Sequence, residues 1–126
     1  MRLQAVTLVV PDYEAGIAFF VGKLGFRLVE DTPLGDGKRW VVVAPPGGET
    51  RLLLAVGKDA RQRSVIGNQT GGRVAFFLQT ENFARDHAAF LAGGVDFIEA
   101  PRKEAYGIVA VFRDDFGNLW DLIEYA

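Results

Sequence analysis

Asp121 stands inside an apolar, strand-like run, Leu119-Trp120-Asp121-Leu122-Ile123, where a carboxylate can serve as metal ligand, proton carrier or half of an ion pair. Arg73 opens a second such run, a strand expected over 73–79, and its planar fork can grip a carboxylate or phosphate with two hydrogen bonds. The stretch Arg102-Lys103-Glu104-Ala105-Tyr106-Gly107 reads as a loop. In it Glu104 is a proton-transfer base if partly desolvated, and Tyr106 a phenolic donor or a cover over a site. The plainer reading is a surface loop with an aromatic plug. Trp40 is either a pocket wall or a core or dimer contact. His87, the sole histidine, falls between Phe83 and Phe90 on a helix and reads as packing, and no second histidine exists to build a two-histidine site.

These residues sit in a chain of 126 residues, long enough for one domain with a real core. With 49% hydrophobic and 24% charged residues, it has the composition of a soluble globular protein, and no apolar run approaches the roughly 20 residues of a membrane span. The first residues lack the pattern of a cleaved leader, so a cytoplasmic protein is expected. A net charge of -2 with interspersed signs offers no basic stripe, so neither nucleic acid nor membrane is an expected partner. Lys58, Arg61 and Arg63 read as a solvated loop. The absence of cysteine removes disulfides and thiol chemistry. Neither Pro45-Pro46-Gly47-Gly48-Glu49 nor the glycines near Gly71 have phosphate-loop spacing, and Asp114-Asp115-Phe116-Gly117-Asn118 reads as a hairpin turn.

The elements that carry these residues follow from hydrophobic period. Residues 3–10 alternate as a half-buried strand, Pro11-Asp12 stops it and caps a helix, and Tyr13, Ile17, Phe20 and Leu24 share a helical face up to Gly25. Strands are expected at 26–30, 39–44 and 50–56, with Thr32 to Gly37 as a turn. From Arg73 the order repeats: strand, helix over 81–94, strands at 95–99 and 108–112, and a closing strand over 119–125. Residues 23–30 align over 92–99, and Gly48 over Gly117 at the same spacing, which points to a duplication. One α+β domain over 1–126 results, with tandem βαβββ modules at 1–56 and 73–126 joined by a polar, glycine-rich connector at 57–72. Each module leaves one sheet face uncovered, so two modules are expected to form a curved mixed sheet around a cleft. Asn68-Gln69-Thr70 in the connector is formally a glycosylation sequon.

Residues 6–26 and 109–124 resemble the opening and closing stretches of the vicinal-oxygen-chelate superfamily, which contains glyoxalase I, bleomycin-resistance proteins and extradiol dioxygenases. The resemblance implies a divalent ion held by the first and last strands of each half. Carried across, the ligand positions fall on Ala5, Leu52, Arg73 and Asp121, of which only Asp121 keeps a ligand-type side chain, too few for a cation. No metal and no other cofactor is therefore expected. The resemblance further implies that Arg73 and Asp121 lie close together, so an ion pair is expected where relatives hold a metal. It also implies a homodimer.

The expected function is binding of a small, partly apolar molecule, with an anionic group as one option, in a metal-free cleft lined by Arg73, Asp121, Tyr106, Phe77, Thr7 and Trp40. The alternatives are a glyoxalase-like isomerase or lyase using Asp121 or Glu104 as proton carrier, and an assembly module whose cleft is filled by Phe77 and Trp40.

Overall fold

A computed structural model describes residues 1–126. The chain forms two compact units, Met1–Ile66 and Gly67–Ala126, divided inside the expected connector. No helix is long and apolar enough to cross a membrane.

In the first unit, β1 (Ala5–Val10) leads to Asp12, whose side chain accepts the Ala15 N–H at 2.7 Å and so caps α1 (Tyr13–Ile17). The helix widens into a π-helical turn over Ala18–Lys23 and closes at Gly25, which adopts a φ of 71°. Phe19 and Phe20 of this turn are both buried in the core, edge to face at 5.1 Å. Gly16 lets the helix lie against the sheet: a Cβ there would stand 2.9 Å from Leu54 Cδ1. Then β2 (Arg27–Gly35), β3 (Lys38–Ala44) and β4 (Arg51–Val56) complete a sheet of order β1-β4-β3-β2, with β1 parallel to β4.

The expected turn over Thr32 to Gly37 is mostly strand. β2 runs through Pro33 to Gly35 because it is an edge strand, where a missing N–H costs no ladder bond on its open side. The reversal needs only Asp36 and Gly37, with φ of 55° and 77°, as a two-residue hairpin requires.

A short helix, α2 (Ala60–Arg63), occupies the connector, capped by Asp59. The second unit contains β5 (Val74–Gln79), α3 (Phe83–Ala92), β6 (Asp96–Phe97), β7 (Arg102–Glu104), β8 (Gly107–Arg113) and β9 (Leu119–Tyr125). Its sheet order is β5-β9-β8-β6, with β5 parallel to β9 and β7 also paired to β8. Neither sheet closes on itself.

Two differences from the sequence reading matter for the site. The strand expected at 95–99 shrinks to Asp96–Phe97, and the loop expected at 102–107 contains β7. Pro101 has no N–H to give, so pairing along β8 breaks between β6 and β7. The Glu99 carboxylate fills the gap, with its Oε1 accepting the Val111 N–H at 3.0 Å. On the other side of this sheet, Phe83 and Phe90 of α3 join Phe112, Trp120 and Leu122 in the core. His87 packs between Phe83 and Phe97, as its position suggested.

The turn at Asp114–Asn118 is organised by Asp114. This buried carboxylate accepts from the backbone N–H groups of Phe116 and Asn118, the Asn118 amide and the Trp120 indole, at 2.9 to 3.1 Å.

Candidate functional site on the open face of the second sheet

Trp120 and Leu122 point into the core beneath α3, so alternation turns Asp121 to the opposite face of the second sheet, which is open at Phe77 but closed over Val109 and Ile123. Its register partners are Phe77 on β5 and Val111 on β8. Phe77 is 66% exposed, a large ring standing in solvent beside a carboxylate.

Asp121 Oδ1 is closed off from solvent and has no hydrogen-bond partner. Burial pushes the Asp121 carboxyl up from its usual range; the nearby Arg102 guanidinium pulls it back, and Glu99 raises it.

Arg102 is the centre of the charged cluster beside it. Its Nε donates to Glu99 Oε1 at 3.2 Å, and its Nη1 donates to Glu104 Oε1 at 2.7 Å and to the Tyr106 hydroxyl at 3.4 Å. The tight approach of β8 to β9 fixes this corner: a Cβ on Gly107 would lie 2.1 Å from the Glu124 carbonyl oxygen.

Of the residues singled out from sequence, the structure brings Glu104 and Tyr106 together on Arg102 and sets Phe77 beside Asp121. It does not pair Arg73 with Asp121. Arg73 precedes β5, is exposed, and contributes only its carbonyl, which accepts from Thr70 Oγ1 at 2.7 Å. Along β5 it is four residues from Phe77, the register partner of Asp121, a separation of about 13 Å at the usual strand rise. Thr7 and Trp40 belong to the first unit. Thr7 pairs in register with Leu53, and Trp40, on β3, is 39% exposed. Neither Phe77 nor Trp40 is buried.

The helix caps correct the positions carried over by counting. Five residues ahead of the caps Asp12 and Asn82 stand Thr7 and Phe77, and their register partners are Leu53 and Asp121. Leu53, not Leu52, is thus the first-unit counterpart of Asp121; Leu52 is a core residue at 6% exposure. By the same count the counterpart of Ala5 is Ala75 rather than Arg73. Two alanines, a leucine and one aspartate then occupy the four places. No three histidine or carboxylate side chains gather anywhere in the chain to hold an ion, and Glu99 and Glu104 are already engaged by Arg102. This donor set does not fit a divalent cation.

Sequence reasoning missed Arg102 and Glu99. The signal for Arg102 lies in its spacing: residues 102 and 104 are two apart, which puts side chains on one face of a strand. Nothing local marks Glu99, whose role depends on β8 lying alongside.

Residues 2–122 match the glyoxalase/bleomycin resistance protein/dioxygenase superfamily. The chain belongs to that superfamily. A relative from Shewanella frigidimarina, itself uncharacterised, is 49% identical over 121 residues, covering 94% of this chain and 90% of its own. Among solved structures, UcmS2 superposes with a TM-score of 0.83 at 32% identity, covering 98% of this chain and 97% of the other. TnmS3, described as an antibiotic binding protein from Streptomyces sp. CB03234, superposes with a TM-score of 0.79 at 28% identity, over 100% of this chain and 97% of the other. The superfamily places this domain among glyoxalase-like proteins, and the structure departs from the metal-holding pattern at three of the four positions.

Proposed function

We propose that this protein binds a small, partly aromatic molecule on the open face of its second sheet, without a metal ion. The observation that carries the reading is the closed-off, unpartnered Asp121 Oδ1 beside the exposed ring of Phe77. A buried acceptor without a donor costs about 1–3 kcal/mol, which a ligand N–H or O–H can recover once the half-buried carboxyl turns that oxygen outward. Phe77 supplies a stacking surface for the ligand's ring.

The charge around the site also revises the polarity of the ligand. Asp121, Glu99 and Glu104 face a single guanidinium, Arg102, and Arg73 is too far along β5 to anchor an anion here. A donor-bearing or cationic group, not a carboxylate, complements this face. Likeness to an antibiotic binding protein supports sequestration as the outcome of binding. A homodimer is part of the same proposal, with exposed Phe77 and Tyr106 as apolar surface available to a second chain.

Ligand-induced thermal stabilisation tests it, using matched aromatic amines and aromatic carboxylates. The amines are expected to raise the melting temperature, with the effect lost in Phe77→Ala and reduced in Asp121→Asn. Stabilisation by the carboxylates alone would overturn the reading.

A second reading, a metal-independent isomerase or lyase, rests on the raised Asp121 carboxyl, which favours a proton-carrying role. Turnover that survives chelator and disappears in Asp121→Asn would establish it; stabilisation without turnover would establish binding.

A further inference from the structure

At one end of the first-unit sheet, the starts of β1, β2 and β4 meet the β3–β4 loop around a groove of about 280 Å³. Its walls include Arg2, Arg27 and Arg51, with Glu49 as the one carboxylate. Arg27 is held in place, its Nη2 donating to the Gly48 carbonyl at 3.0 Å. Arg2 and Arg51 form no ion pair and no side-chain hydrogen bond within the protein. Three guanidiniums against one carboxylate stand out in a chain whose overall charge is -2. Four other arginines are neutralised locally, Arg39 by Asp31 and Glu14, Arg102 by Glu99 and Glu104, Arg85 by Asp86 and Arg113 by Asp96; Arg61, Arg63 and Arg73 also lack a carboxylate partner, but none of them lines this groove.

We propose that this groove is an anion site for a phosphate or pyrophosphate group of a small molecule, separate from the face around Asp121. Like charges around a concave surface raise the local positive potential, which draws an anion in and keeps it there. Guanidinium forks match the geometry of phosphate oxygens and bind them in pairs of hydrogen bonds. Thr50, also on the wall, adds a hydroxyl that can donate to the same group. The groove's volume of about 280 Å³ is ample for a pyrophosphate group. Because the site lies wholly within the first unit, it stands or falls independently of ligand binding at Asp121.

The test is a titration of the full chain with sodium pyrophosphate at constant ionic strength, followed through the arginine Nε–H signals by nuclear magnetic resonance. Saturable shifts are expected at Arg27 and Arg51. Losing one charged donor pair in Arg51→Ala or Arg27→Ala is expected to weaken binding roughly tenfold or more, and Glu49→Gln to strengthen it. Circular dichroism confirms that each variant folds, and either arginine variant suffices. Shifts reproduced by sodium chloride, tighter binding of citrate than of pyrophosphate, or unchanged affinity in both arginine variants would mean an adventitious ion only and overturn the site. Vesicles containing phosphatidic acid form a second arm. Co-sedimentation that pyrophosphate fails to compete would assign the surface to a lipid headgroup and equally overturn the small-molecule site.

Discussion

Thr7 beside Leu53 in the first unit and Phe77 beside Asp121 in the second occupy matching places in matching strand pairs. Both units are built from the same start: a strand, a side-chain cap, a helix, and a later strand that pairs in parallel with the first. The scaffold tolerates either pair because the fold is held by the alternate positions, Leu8, Leu52 and Leu54 in one unit and Trp120 and Leu122 in the other, which face the helices. Both units thus keep an apolar face toward the helix and differ on the other face. In this chain only the second copy put a carboxylate there.

The comparison breaks most severely at the β8–β9 turn, which has no counterpart to its buried carboxylate in the loop between β3 and β4. Asp114→Ala strands four donors at once and is expected to lower unfolding free energy by about 3 kcal/mol or more, measured by urea denaturation. A loss below about 1 kcal/mol would show that the turn stands on Gly117 and chain geometry alone.

In the first unit, Gly16→Ala sets a methyl 2.9 Å from Leu54 Cδ1. Because that contact is the end of a side chain, a cost of about 1–2 kcal/mol is expected rather than collapse. An unchanged melting curve would mean α1 is free to lift off β4.

A smaller effect sharpens the open-face contrast. A carboxyl raised in the folded state adds stability fully present below its unfolded value of 3.8 and lost as pH rises through the folded value. At neutral pH the ionised Asp121 therefore weighs against folding. Asp121→Asn is expected to be more stable than the parent at pH 7, with the advantage fading as pH falls toward 3.8 and below. The same advantage at both ends of that range would detach it from ionisation. Finally, Arg102→Ala removes the cation that holds the Asp121 carboxyl down, so its titration, followed by carboxyl carbon resonance, should move further up. A shift in the opposite direction would place Arg102 outside the reach of Asp121.

Much of this was readable along the chain. Local chemistry announced Asp12 as a helix cap, Gly25 as a helix end and Asp114–Asn118 as a turn, since each depends on neighbours a few residues away. The repeated order of elements was equally plain. Counting in from a turn was less secure: it chose Leu52 over Leu53, and on a strand one step exchanges one face for the other; taking the residue that opens the second half chose Arg73, two residues ahead of Ala75.

Residue order alone therefore settled most of the elements, though not β7 or α2, that their order repeats, and that a lone aspartate interrupts the closing strand. Tertiary structure decided what that aspartate faces. The register between β5 and β9 placed Phe77, not Arg73, beside it, and the pairing of β7 to β8 assembled Arg102, Glu99, Glu104 and Tyr106 nearby. Strand register is fixed by hydrogen bonds and buried side chains contributed by distant segments, so no short window of sequence contains it.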